Sequence, residues 1–126
     1  MTTTIEINYD VHTDDYPVNI YQGETWSMSV QVQDSNGNAY PLTGYSAEMT
    51  IRQNPNGPVL IDLTVGSGIT IDQPNGIIGC AMTAAQTAAL EFANAGYDLF
   101  IKSGGGTLTP LLKGPANLTL RFTRMP

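Results

Sequence analysis

The stretch TWSMSVQVQ, from Thr25 to Gln33, decides how this chain folds. Its apolar residues, beginning at Trp26, alternate with serine and glutamine. A period of two places successive side chains on opposite faces of a β-strand, so that one face is buried and the other meets water. We expect Trp26 to anchor the core, because a buried indole removes a large apolar area from water.

Turns and further alternating runs follow this strand at short intervals. Asp34 to Asn38 has a turn composition, and the next run buries Ala47, Met49 and Ile51 between polar residues. The pattern continues almost to the end of the chain. Roughly seven to nine short strands at spacings of about 8 to 12 residues are typical of an antiparallel β-sandwich or a small barrel. The sequence therefore predicts an all-β fold.

The C-terminal part of the chain supplies the last two or three strands. These are expected at Tyr97–Lys102, Leu108–Lys113 and Ala116–Thr123. Gly104, Gly105 and Gly106 form a flexible hairpin tip between the first two. Gly114-Pro115 produces a kink, either between two strands or within one long bent strand.

One segment departs from the β pattern. Residues 83–93 are rich in alanine and contain neither glycine nor proline. Thr83 and Gln86 have the spacing of a capping box, in which each side chain bonds the other residue's backbone N–H. Gly96 lies beyond the end of the segment. We expect one short helix here, connecting two strands.

The N-terminal region is predicted to be an arm, residues 1–16, preceding a β-sandwich domain of residues 17–126. Ile5, Ile7 and Tyr9 alternate as in a strand, but the residues after them interrupt the pattern. Such an arm pairs with a neighbouring subunit as readily as with its own sheet. The arm and the domain together form one unit without an internal repeat.

Turn residues and tyrosines carry further structural expectations. Gly44 lies in a turn that we expect to need a positive φ angle, which a side chain resists. Tyr45 and Tyr97 flank turns and can hold loops through their hydroxyl groups. Tyr16 and Tyr9 belong to a tyrosine cluster near the arm, which either forms a contact surface or closes one end of the sandwich.

Composition excludes several classes of function. Only 13% of the 126 residues are charged, and the net charge is −6, which argues against binding to a nucleic-acid backbone. No apolar run approaches the roughly 20 residues of a membrane span, so a protein made in the cytoplasm is expected. Cys80, the single cysteine, stands in an apolar run and is expected to be buried and unreactive.

The sequence offers no recognisable catalytic arrangement. His12 is its single histidine, and no nucleophile elbow accompanies it. With Asp10, Asp14 and Asp15 it resembles a metal site only superficially, because exposed acids around a loop histidine are usually solvated. The triple glycine precedes a strand and not a helix, so it does not form a phosphate-binding loop. We expect no enzyme activity, no cofactor and no metal.

Five elements, taken in order, resemble a group of small tailed-bacteriophage virion proteins. They are Leu42-Thr43-Gly44-Tyr45-Ser46-Ala47, Ile51-Arg52, Thr87-Ala88-Ala89-Leu90, Tyr97-Asp98-Leu99 and Leu111-Leu112-Lys113-Gly114. The match covers about residues 18–123 and is similar to the N-terminal, immunoglobulin-like domain of phage baseplate upper proteins. The resemblance implies an immunoglobulin-like β-sandwich.

The resemblance also implies a role in assembly. It suggests a structural virion protein, an adaptor at the tail, baseplate or fibre junction, with other virion proteins as partners and a homo-oligomer or ring as its state. The candidate partner contacts are Ile5, Ile7, Tyr9, Tyr16, Gly104, Gly105 and Gly106. Trp26, Gly44, Tyr45 and Tyr97 are expected to serve structure instead.

Two alternatives remain open at this point. A capsid decoration protein would be equally small, acidic and rich in β-structure. A carbohydrate-binding module would place at least two coplanar aromatic side chains on one exposed face. Location within a virion separates the first from an adaptor, and glycan binding would indicate the second.

Overall fold

A computed structural model describes residues 4–8, 15–92 and 94–122. The described residues form nine strands and one short helix. In chain order these are β1 Thr4–Asn8, β2 Val18–Tyr21, β3 Trp26–Gln33, β4 Ser46–Arg52, β5 Val59–Val65, β6 Gly68–Asp72, β7 Ile77–Met82, α1 Ala84–Ala88, β8 Ala95–Lys102 and β9 Leu108–Thr119. The predicted all-β class with one short helix is confirmed.

The strands form a continuous sheet in the order β1-β3-β7-β6-β5-β4-β8-β9-β2. Pairing is antiparallel except at three places: β1 with β3, β2 with β9, and β5 with β6. The expected antiparallel arrangement therefore holds for the other interior pairs, but not for β5 with β6 or for either edge. Strands β1 and β2 add to strands that are distant in sequence, and such strands are free to run parallel.

The sheet turns a corner between β5 and β6, where the strand pairing is short. Only Thr64↔Gly68 and Val65↔Ile69 pair β5 with β6. The strands on either side of this corner nevertheless contribute to one hydrophobic cluster, as the two layers of a sandwich do. The largest fully buried side chains are Ile20, Leu42, Met49, Ile51, Leu63, Ile69, Ile78, Met82, Leu99, Ile101, Leu111 and Leu112.

Strand β3 is buried on one face, as its alternating pattern predicts. Met28, Val30 and Val32 are buried, and the residues between them are partly exposed. Trp26, at the start of β3, is only half-buried and packs against the rim of the cluster. The indole therefore covers the end of the core instead of filling its centre.

Strand β9 resolves the question of the Gly114-Pro115 kink, because both residues lie within one twelve-residue strand. The register between β8 and β9 shifts once, so that Leu99 faces Leu112 but Phe100 faces Pro110. A β-bulge of this kind places two consecutive residues on one face. Leu111 and Leu112 are accordingly both buried.

The helix α1 begins as predicted and ends earlier than expected. Thr83 accepts a hydrogen bond from the backbone of Gln86, and the Gln86 side chain accepts one from the backbone of Thr83. Helical geometry stops at Ala89, and Leu90 turns into the core with 5% of its surface exposed. Burial of Leu90 and the approach to β8 shorten the predicted segment 83–93 to little more than one turn.

The buried side chain of Gln22 forms a hydrogen bond with the backbone just after helix α1. The Gln22 side chain donates to the carbonyl oxygen of Leu90 at 3.1 Å and accepts from the backbone N–H of Arg121 at 3.3 Å. It thereby satisfies backbone groups that helix and strand ends leave without intrahelical or ladder partners. Gln22 thus connects the end of β2 with the segments after α1 and β9.

The predicted arm contributes β1, which pairs along its length with β3 of the same chain. Ile7 is 2% exposed in the common core. Tyr9, Asp10, His12 and Asp14 lie outside the described residues. Within the described part of the chain, no helix has the length and apolar character that crossing a membrane requires.

Candidate assembly surfaces

The predicted contact residues of the N-terminal region lie in different environments. Ile7 is buried, and Ile5 and Tyr16 are half-buried against the core. Tyr9 is outside the described residues. In this arrangement Ile7 stabilises the chain's own fold, and β1 offers a partner its outer backbone edge more than its side chains.

Tyr16, Tyr97 and Gly114 form a junction between the N-terminal segment and the last two strands. The hydroxyl of Tyr97 donates to the carbonyl oxygen of Tyr16 at 2.7 Å, and the backbone N–H of Tyr16 donates to the carbonyl oxygen of Lys113 at 3.0 Å. Burial raises the pKa of the Tyr97 phenol. The Tyr97 hydroxyl thus bonds the segment that precedes β2, and Tyr16 provides its backbone partner.

The glycine loop between β8 and β9 is exposed throughout. Gly104, Gly105 and Gly106 carry no side chain that could restrict access, and all three are exposed. Ser103 holds the base of the loop by accepting hydrogen bonds from the backbone N–H groups of Gly106 and Thr107. The loop is therefore an accessible tip with a fixed base.

A second turn lies beside the glycine loop. Gly44 has a φ of +80°, as predicted. A Cβ placed on Gly104 would lie 3.6 Å from the carbonyl oxygen of Gly44. Tyr45 is held in place by Tyr40, whose ring meets it edge-on with hydroxyl oxygens 3.2 Å apart. These elements make one end of the molecule a candidate contact surface.

A cleft of about 580 Å³ opens on the outer side of β4, β8 and β9. Asp98 lies within it between Arg52 and Lys113. Burial raises the pKa of the Asp98 carboxyl group, while the positive charges of Arg52 and Lys113 act against this shift. The cleft has the charges and amides to bind a polar segment, and the described residues that line it include neither histidine nor cysteine.

A smaller cleft of about 240 Å³ lies beside Trp26. Tyr16, Asn19 and Glu24 also line it. The half-buried Trp26 indole is the feature that most favours binding of a sugar ring, since sugars stack on exposed aromatic faces. A carbohydrate-binding module would need a second coplanar aromatic here, and Tyr16 is itself half-buried.

An acidic pair on the outer face of β4 and β5 was missed by the sequence analysis. Asp62 accepts a 2.6 Å hydrogen bond from the Thr50 hydroxyl. A hydrogen bond with Asp62, followed by burial and the charges of Asp62 and Asp98, raises the pKa of Glu48. The sequence contains both acids, but only the pairing of β4 with β5 brings them together.

The described residues contain no cluster of side chains suited to bind a metal ion. Among residues 4–8, 15–92 and 94–122, no group of three or more histidine, cysteine, aspartate or glutamate side chains is arranged to hold a metal ion. Asp15 is the one described member of the acidic loop considered above. Cys80 is buried, as expected, and burial raises the pKa of its thiol to about 12.

Comparison with known proteins identifies the fold. The sequence matches no protein-family model and no curated protein sequence. The structure is similar to the N-terminal domain of phage TP901-1 ORF48, with a TM-score of 0.57 and 13% sequence identity. The similarity covers 94% of this chain and 98% of that one. At this identity the likeness shows a shared fold, and the resemblance to phage proteins inferred from the sequence is confirmed at that level.

Proposed function

We propose that this chain is a structural component of a tailed-phage virion, an adaptor at the tail, baseplate or fibre junction that joins other virion proteins. The observation that carries the proposal is the fold shared with a phage protein domain over nearly the whole chain. The ordered sequence elements that resemble phage baseplate upper proteins point to the same class. A role in assembly also fits the absence of a recognisable catalytic arrangement from the sequence.

The proposed contacts lie at the open edges and at the glycine loop. Strands β1 and β2 end the sheet on its two sides, and each leaves one row of backbone donors and acceptors for a neighbour. Gly104, Gly105 and Gly106 supply an exposed tip. We propose that these surfaces bind neighbouring subunits in a homo-oligomer or ring.

Antibody labelling of intact virions tests the location. Gold-labelled antibody raised against the chain is applied to purified particles, which are then viewed by electron microscopy. Label at the tail tip or collar is expected. Label over the head would replace the adaptor with a decoration protein, and absence of label from every particle would overturn the virion proposal and direct attention to glycan binding near Trp26.

A pair of loop variants tests the proposed contact tip. Gly105→Arg adds a long charged side chain at an exposed loop position where φ is not positive, so the fold should survive. We expect this variant to enter particles poorly. Ser67→Arg, in an exposed turn elsewhere, is the matched control and should enter normally. Equal incorporation of both variants would remove the loop from the contact surface.

A further inference from the structure

Strand β5 has one edge that is unpaired over most of its length. On one side β4 pairs with it from Thr64 to Val59. On the other side, within the described residues, β6 reaches only Thr64 and Val65. Among the described residues, the backbone of Val59–Leu63 therefore has no strand partner on that side, although β5 lies in the middle of the strand order.

The direction of the backbone groups follows from the turn after β5. The N–H of Thr64 donates to the carbonyl oxygen of Ser67, on the side away from β4. Since the backbone groups of a strand alternate in direction, the N–H and carbonyl of Asp62 point to that same side. Asp62 thus presents one donor and one acceptor at the open edge.

The side chains near this edge are unusually apolar for an exposed strand. Val59 and Val65 are 47% and 49% exposed, and Leu60 and Ile61 are only half-buried. Leu60 falls at the register shift between β4 and β5, and such a bulge limits, without abolishing, further pairing. An added strand would cover this apolar surface and complete the ladder.

The charges beside the edge favour one kind of added strand. Asp62 is exposed, and Glu48 lies next to it on the same outer face, opposite Thr64. A hydrogen bond with Asp62 raises the pKa of Glu48, and burial and the negative charges of Asp62 and Asp98 add to this shift. A lysine or arginine placed over this face would relieve the repulsion between these carboxylates.

We propose that β5 accepts an extended basic segment of another protein as an added strand. Apolar side chains of that segment pack over Ile61 on the core side, and its lysine or arginine side chains lie beside Asp62 and Glu48 on the outer side. The surface is separate from the edge strands and the glycine loop of the proposed function. Strand addition at β5 can therefore be tested independently of the chain's place in a virion.

Hydrogen exchange of the full chain with short capped peptides tests the proposal. The probe peptide alternates valine with lysine, and the matched control replaces each lysine with glutamate. We expect the Asp62 amide to exchange rapidly in the free protein and to become protected by the basic peptide. Fluorescence anisotropy should show the basic peptide binding on the order of tenfold more tightly than the acidic one, since opposite charges across strands stabilise and like charges destabilise.

Two variants at the same position separate the backbone contribution from the charge contribution. Asp62→Pro removes the outward N–H while leaving the ladder to β4, and it should abolish binding. Asp62→Asn keeps the backbone N–H donor but removes the negative charge. This variant should therefore show a smaller preference for the basic peptide over the acidic one. If Asp62→Pro does not fold, Asp62→Lys should reverse the order of the two peptides.

Three results would overturn the proposal. Slow exchange of the Asp62 amide in the free protein would mean that the edge is already covered. Equal affinity for both peptides would remove the acidic pair as a determinant. Protection that appears along β1 or β2 instead of β5 would place strand addition elsewhere.

Discussion

The phenolic hydroxyl of Tyr97 in β8 donates a 2.7 Å hydrogen bond to the backbone carbonyl of Tyr16, which precedes β2. The Tyr97 side chain is 5% exposed, so its end of this partly buried bond is largely shielded from water. Because Tyr16 also donates to the carbonyl of Lys113, the chain entering β2 is fixed to both of the last two strands.

Tyr97→Phe should destabilise the protein by about 1–2 kcal/mol, because the partly buried carbonyl of Tyr16 loses its donor while the ring remains in the core. The free energy of unfolding from urea titration measures the loss. Tyr21→Phe is the control, since Tyr21 is 53% exposed and its substitution should change stability by less than about 0.5 kcal/mol. Equal midpoints for both variants would show that the Tyr97 bond contributes nothing.

Gly114→Ala should weaken the attachment of the N-terminal segment. A Cβ on Gly114 would lie 2.7 Å from the backbone nitrogen of Tyr16, closer than non-bonded contacts allow, so the two backbones must separate. We expect a loss of about 1–3 kcal/mol, as in other overpacked sites, and faster hydrogen exchange in β2. Gly96→Ala is the matched control, because its Cβ would make an ordinary 3.6 Å contact with Gly114. Similar melting temperatures for the two variants would argue against the close approach.

Gly44→Val should destabilise for a different reason. Apart from Gly44 and its two chain neighbours, no atom of the described residues lies within 4 Å of the position that a Cβ on Gly44 would take, but the φ of +80° is strained for a β-branched residue. We expect a loss of about 1–3 kcal/mol, measured by thermal denaturation. Gly44→Asn should lose less, since asparagine tolerates this conformation better. If valine and asparagine were equally tolerated, backbone strain would not be the cause.

Stability should decrease at alkaline pH through Cys80. Burial raises the pKa of this thiol from 9.0 to about 12, so above pH 9 the unfolded chain releases a proton that the folded chain keeps. The stabilising difference is complete below pH 9 and is lost as pH rises towards 12, with a slope of up to about 1.4 kcal/mol per pH unit. Burial shifts Tyr97 in the same direction.

Cys80→Ala isolates the thiol's part in this effect. The variant should be less stable at neutral pH, because it leaves a small cavity, but its alkaline decline should be shallower than that of the unchanged protein. The thiol of the unchanged protein should also react with Ellman's reagent only after unfolding. Rapid reaction under native conditions would contradict the burial of Cys80.

Features that depend on near neighbours in the chain were predictable. The alternation from Trp26 to Gln33 indicated which residues of β3 are buried, because the side-chain period of a strand is a local property. Thr83 and Gln86 marked the helix start, since both partners of a capping box lie within one turn. Gly44 marked a positive φ for the same reason: the backbone conformation of a turn depends on the residues that form it.

Features that depend on which strands become neighbours were not predictable. The sequence of β5 indicates a strand but does not show that β4 alone pairs with most of it. The open edge and the Glu48–Asp62 pair could therefore not be predicted. The parallel placement of β1 and β2 was missed because their partners are chosen by packing across the whole chain. The helix end was misplaced because burial of Leu90, a tertiary contact, outweighed local helix propensity.

The sequence by itself determined the all-β class, the buried face of the main strand, the start of the helix and the tight turns, because short-range sterics and hydrogen bonds control each of them. Only the tertiary structure decided the strand order, the half-exposed position of Trp26, the Tyr97–Tyr16 bond and the open edge of β5. Each of these joins segments far apart in the chain. Their pairing follows from how the whole apolar surface is buried, which no single stretch of sequence specifies.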